Sequence, residues 1–554
     1  MTAALLLALL STPPALWTDG TFSDPRVHGI DRRHDQSFEP AGALSTGDGP
    51  GIGETVQFWA QDYTDDPYFT FYLTSATCRH AGELCYIFVE DSQWGTRYDQ
   101  DDVDVLAAML EEETPSGGMG IIERETSELG PVPDEIDGDP KMYFLVLDIP
   151  DGFDPQQGGA YIAGFFSPYN QFTEEEAFLY YGGHSNEVEM MYIDCFPGDA
   201  DAAAYTASHE LVHLIQWGIE PFSGEDLWVI ENQAQTGTFI CGFPADQVGT
   251  FLDVGGVSPV GWTELEDIDL YVAGYGAGYL FFSWLYERFG GADFIHASLR
   301  AAAEGLPGVE EALEQASGAP VDMQALLEDW LLAVWIDDVS VGDGRWGWQS
   351  FRLSDYDEGS PGSRPGMDWR AVVDSPDFQD PEHGLGSYTV QGYGLEASGF
   401  DGSFRAWASG MGVLGAWYRE SGSSAPQRIE TGWGKDVAVP LPATGEVLLA
   451  CTSFFGLSAA ASAGTAGAAP GGSPAVYPQP CLGVLHFSFV SDGSPLTVAV
   501  FDQTGRYVES FTRGSPPAGE TVVSHDASDL ATGVYMYRFE QGGVVSTGRF
   551  TVVR

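Results

Sequence analysis

Lysine is almost missing from this chain. Lys141 and Lys435 are the only two, and with arginine they bring the basic residues to 22 against 82 acidic ones, a formal net charge of -60. Nucleic acid and anionic membrane surfaces are bound by basic patches that displace counterions, so a polyanion of this strength excludes both as partners. Cysteine is scarce too. Cys78, Cys85, Cys195, Cys241, Cys451 and Cys481 form no CxxC pair and no Cys/His cluster at zinc-finger spacing, which argues against thiolate metal sites and for disulfides made in an oxidising compartment. Neighbourhood in the sequence suggests the pairs Cys78 with Cys85, Cys195 with Cys241, and Cys451 with Cys481. Long apolar runs are also lacking. The stretch from Ala3 to Leu10 suits a signal-peptide core and is too short to cross a bilayer. Without a basic segment before it, residues 1–18 read as an atypical signal peptide.

What the chain has is enough apolar material for several cores: 44% of its 554 residues are hydrophobic, more than one core can use. Residues 19–52 are polar and rich in Gly, Pro and Asp, the composition of a linker or propeptide remnant. From 53 to 355 a β-rich front half, with strands around Val56 to Trp59, Tyr68 to Leu73, Cys85 to Val89, Lys141 to Leu147 and Glu187 to Ile193, gives way to helical periodicity. Helices are expected over Leu227 to Ile240, Leu270 to Phe289, Asp293 to Glu304, Val309 to Ala316 and Met323 to Trp335. That order describes an α+β domain. Residues 380–455 return to short strands, as in a small β-sandwich. An Ala/Gly/Ser/Pro linker is expected over 456–475, and a second, immunoglobulin-like sandwich over 476–554.

The junction of the two halves carries His209-Glu210-Leu211-Val212-His213. On a helix, the four-residue spacing sets both imidazoles on one face a turn apart, within reach of a single cation. Glu210 is placed to take a proton from water at the metal. Zinc needs a third protein ligand and an open fourth position. A histidine six residues after the second motif His would mark a metzincin, but that position holds Ile219. Zincins of the Glu-ligand class take a carboxylate from a following helix about 18–20 residues on, and resemblance to that class implies Glu231, in Leu227-Trp228-Val229-Ile230-Glu231-Asn232, as the candidate. The flanking Leu211, Val212, Leu214, Ile215 and Trp217 make the motif helix a buried one, where unpartnered His and Glu would be costly.

These residues, with Cys85-Tyr86-Ile87-Phe88-Val89-Glu90-Asp91, Ser185-Asn186-Glu187, Tyr192-Ile193-Asp194, HELVHLIQW and Tyr275-Gly276-Ala277-Gly278-Tyr279-Leu280-Phe281, resemble the hyicolysin-type zinc metallopeptidases of the gluzincin class. The resemblance covers about Val56 to Asp338. It implies a zincin fold, a Zn2+ cofactor held by His209, His213 and Glu231, Glu210 as catalytic base, and a protein or peptide substrate. An oxyanion donor is also implied; Tyr275 is the choice among Tyr271, Tyr275 and Tyr279, each of which could equally pack the helical region. The strand around Glu187 to Tyr192, read as a sheet edge, is a candidate for binding substrate by strand addition.

The chain departs from those relatives around the third ligand. Ile230 and Asn232 flank Glu231, and Gln235 stands where relatives often carry an acid. This motivates the alternative, a weakened or inactive pseudo-peptidase serving as a surface-binding or adhesin module. Structural Ca2+ among the many Asp and Glu is a further expectation, with no residues assigned.

At the other end, Val500-Phe501-Asp502-Gln503-Thr504-Gly505-Arg506, Leu530-Ala531-Thr532-Gly533-Val534-Tyr535-Met536-Tyr537-Arg538 and Val552-Val553-Arg554 resemble the sorting or hook-capping modules that end many exported bacterial proteins. That resemblance implies recognition by an export machinery of the type IX kind, and a secreted or cell-surface location.

Overall fold

The computed structural model describes residues 15–19, 49–64, 70–156, 159–221, 223–254, 257–265 and 267–356, and within 370–552 the strands and some of the turns between them. Most of the signal-peptide and 19–52 expectations, and Cys481, lie outside the described residues. The chain divides into two compact units, Met1–Asp368 and Trp369–Arg554.

In the first unit β1 (Ala15–Asp19), β2 (Thr55–Gln61), β3 (Phe71–Ala81), β4 (Cys85–Glu90), β5 (Met142–Leu147), β6 (Gly159–Phe166) and β7 (Met190–Asp194) make one sheet in the order β1-β6-β7-β5-β4-β3-β2. The central strands β4, β5 and β7 run parallel and are buried at every residue. Strands covered on both faces read as continuous apolar runs rather than alternating ones, which is why CYIFV and MYFLVL stand out in the sequence. On one face Tyr86, Phe88, Tyr143, Leu145 and Tyr192 join Phe58 and Phe165 in a core cluster.

The helices follow as α1 (Gln100–Glu111), α2 (Ile121–Glu128), α3 (Ala200–Ile219), α4 (Leu227–Cys241), α5 (Gln247–Val254), α6 (Ile268–Arg288), α7 (Ala292–Ser298), α8 (Gly305–Ser317) and α9 (Met323–Ile336). Asp199 caps α3 by accepting from Ala202 N at 3.1 Å, and Asp201 adds favourable charge in its first turn. Helix α4 closes on Gly242 at φ 82, a left-handed C-terminal position that suits glycine. The helix expected over Asp293 to Glu304 stops at Ser298, and the next one starts at Gly305, which takes a φ of 64.

In the second unit, strands between Arg370 and Ala463 form a five-stranded and a four-stranded sheet, with Tyr393 of one against Phe404 of the other at 5.1 Å. Strands from Ala475 to Val552 form two more sheets around Leu485, Phe487, Val498, Val500, Phe539 and Phe550. The molecule is therefore an α+β unit followed by β-sandwich structure.

Three expectations are corrected. Strand β7 is not a sheet edge: it lies between β5 and the antiparallel β6. The linker expected from 456 begins as strand Phe455–Ala463, whose Ala/Ser run is paired on both sides, by Gly402–Gly410 and Gln379–Leu385; the ladder overrides composition. Cys78, Cys85, Cys195 and Cys241 are buried free thiols. Cys78 stands opposite Phe88, with a bulge just after it, and Cys241 Sγ donates to Glu125 Oε1 at 3.5 Å.

Candidate metal centre

Helices α3 and α4 approach closely at Gly237, where a Cβ would come within 2.4 Å of Val212 Cγ2 and 2.9 Å of Ser208 O. That close approach brings Glu231 of α4 to the His209 turn of α3: His209 Nε2 and Glu231 Oε2 are 3.3 Å apart. His213 joins them one turn on. Its ring is 4.9 Å from that of His209 and nearly perpendicular to it, at 79°. One nitrogen from each imidazole and one oxygen of Glu231 lie within 4.8 Å of one another. The four residues are almost wholly enclosed: His209 and Glu210 are 0% exposed, His213 1% and Glu231 2%.

Two carboxylates and two imidazoles shut away from water carry a negative charge that burial penalises strongly. A divalent cation of borderline softness offsets it, and two nitrogens with one carboxylate oxygen are a donor set zinc accepts. The residues present therefore fit a metal.

Gln216, which sequence reasoning passed over, orients the second histidine. Its amide Nε2 donates to Ile230 O at 3.0 Å and Gln233 Oε1 at 2.9 Å, so its Oε1 faces His213 Nδ1 at 2.8 Å. An acceptor there puts the proton on Nδ1 and leaves the lone pair on Nε2. Its position three residues after His213, on the same helix face, was the available signal. Gln235 has other partners: its Oε1 accepts from Tyr205 Oη at 2.8 Å and Thr238 Oγ1 at 3.3 Å.

Helix α6 sets Tyr275 beside the histidines. Its buried ring lies 6.2 Å from His209, packed on Trp262 at 4.5 Å and Tyr271 at 5.6 Å. Tyr279 is turned to the backbone, its hydroxyl donating to Phe243 O at 3.0 Å.

The strand over the motif helix is β6. At Gly164 a Cβ would meet Thr206 Cγ2 at 2.5 Å, Tyr192 O at 2.7 Å and Glu210 Cγ at 3.5 Å. Absence of a side chain lets the strand pass directly across Glu210. Apolar runs marked β4, β5 and β7, whereas Gly159-Ala160-Tyr161-Ile162-Ala163-Gly164 gave no comparable signal.

Residues 475–553 match the family model described as the secretion system C-terminal sorting domain. The protein is secreted or held at the cell surface. Among the described residues no helix is long and apolar enough to cross a membrane. Over 218 residues the chain is 25% identical to the neutral metalloprotease ShpI of Staphylococcus hyicus, covering 36% of this chain and 46% of that protein, so it spans less than half of that relative's length. Among solved structures, β-glucuronidases of Parabacteroides merdae and Lactobacillus rhamnosus overlap it at 10% and 9% identity. The overlaps cover 35% and 30% of this chain and 33% and 35% of theirs, with TM-scores of 0.18 and 0.15, too low to bear on fold or function.

Proposed function

We propose that residues 53–355 are a zinc metalloendopeptidase of the gluzincin type, with His209, His213 and Glu231 as ligands, Glu210 as general base and Tyr275 as oxyanion donor. The observation that carries this reading is the convergence of two imidazole nitrogens and one carboxylate oxygen between α3 and α4, with Glu210 beside them on the same helix. The distant relationship to a metalloprotease supports it. Bound there, zinc would polarise the scissile carbonyl and lower the pKa of a water molecule.

The chain's own residues supply the rest. Glu210 takes the proton of the attacking water and returns it to the leaving amine. Tyr275 donates to the carbonyl oxygen as charge develops on it. Gln216 fixes the tautomer of His213. Strand β6 would order the peptide by strand addition only where β1, which pairs in parallel with its outer edge, gives up that place to substrate. The Gln235 position that motivates a non-catalytic reading is engaged with Tyr205 instead. The C-terminal sorting domain is read as the address for a type IX export machinery.

The test is cleavage of an unstructured protein substrate by the full chain. Activity should vanish with a zinc chelator and return with added zinc. Tyr275→Phe should lower kcat by about a hundredfold with KM little changed. Zinc-loaded protein that cleaves nothing would reject the assignment.

A further inference from the structure

Away from the motif helices, Glu189 stands just before β7, its backbone carbonyl accepting from Tyr143 N at 2.8 Å. The residue is 2% exposed. Among the described residues no amide, hydroxyl or cationic side chain donates to either of its carboxylate oxygens. What they face is more negative charge: one oxygen each from Asp134, Asp137 and Glu189 lie within 4.8 Å of one another. Burial first, and then the Asp137 charge, push the Glu189 carboxyl up to about 8. Such a cluster is held together only by something positive, either a proton shared between Glu189 and Asp137 or a cation that displaces it.

We propose that Asp134, Asp137 and Glu189 hold a structural calcium ion, at a site separate from the HELVH centre and independent of the peptidase reading. The donors are all oxygens, which selects a hard cation over zinc. Asp134 and Asp137 come from an exposed loop, where Asp137 Oδ1 already accepts from Asp139 N at 2.9 Å and Gly138 turns the chain at φ 72. A loop site of this kind tolerates the variable ligand number of calcium, whereas magnesium demands a near-ideal octahedron.

The site has a structural consequence for α3. Pro133, next to Asp134, rests on Gly218 near the end of that helix, where a Cβ would come within 2.9 Å of Pro133 Cδ. Calcium would thus tie the loop that abuts the motif helix to the start of the strand that leads into it.

The experiment uses the full chain, freed of calcium with EGTA at constant zinc, and follows thermal unfolding and calcium binding by equilibrium dialysis. Calcium at about a hundredfold over its Kd should raise the melting temperature by about 3 °C, and magnesium at the same concentration should not. Glu189→Gln should abolish that rise, and in calcium-free buffer should melt no lower than wild type, since the amide removes the buried repulsion. Asp134→Asn and Asp137→Asn, at the surface, should each weaken calcium binding about tenfold or more, and they carry the test if Glu189→Gln fails to fold. No rise in wild type, an equal rise with magnesium, or an undiminished rise in the variants would overturn the proposal.

Discussion

Gln216 holds His213. Its side-chain oxygen lies 2.8 Å from Nδ1 of that ring while its amide nitrogen is anchored on Ile230 O and Gln233 Oε1, so a residue outside the motif sets the direction in which the second histidine presents its lone pair. Gln216→Leu should therefore weaken zinc affinity by about 10- to 100-fold. Gln235→Leu should leave that affinity within about threefold of wild type, because Gln235 bonds Tyr205 and Thr238 instead. Competition with a chromogenic chelator measures both; equal losses would reject the assignment to Gln216.

Gly164 is the place where β6 has no room for a side chain. Gly164→Val should cost about 1–3 kcal/mol of stability, read as a lower denaturation midpoint. Activity should fall further than stability accounts for, since the displaced strand lies against Glu210. A Val variant with wild-type stability and turnover would contradict the packing.

Much of this was legible in the sequence. Helix α3 and its pair of histidines follow from four-residue spacing, and α4 from the apolar periodicity around Glu231, whose choice as a ligand came with the family resemblance. The central strands are visible because burial on both faces writes continuous apolar runs. What was not legible depends on partners distant in the chain. Strand β7 reads as an edge until β6, an Ala/Gly-rich strand with weak pattern, is found beside it. Nearness in sequence suggested that Cys78 meets Cys85, yet pairing in the β3–β4 ladder sets Phe88 opposite Cys78. Gln235 occupies the expected turn of α4, but the bond network through Gln216 depends on how α3 and α4 face each other.

Asp194 makes the first unit pH-sensitive. Burial is the main cause that pushes its carboxyl up to about 8, with Asp151 and Asp148 adding to it and the bond from Ile149 N opposing it. Because the folded value lies above the unfolded one, its contribution to stability is fully present below about pH 4 and is lost as pH rises through about 8. Asp194→Asn keeps an acceptor for Ile149 N without the charge. Its melting temperature should exceed that of wild type at pH 9, with the gap closing toward pH 5. A gap that does not depend on pH would refute the account.

The proposed peptidase centre rests on His209, Glu210, His213 and Glu231 acting as a unit with divided roles. The most direct measurement is zinc per chain and substrate cleavage, taken together on wild type, Glu210→Gln and Glu231→Ala. Wild type should bind one zinc and cleave; Glu210→Gln should bind zinc and lose cleavage by about a thousandfold or more; Glu231→Ala should lose zinc. Full zinc in Glu231→Ala, or undiminished cleavage by Glu210→Gln, would contradict it.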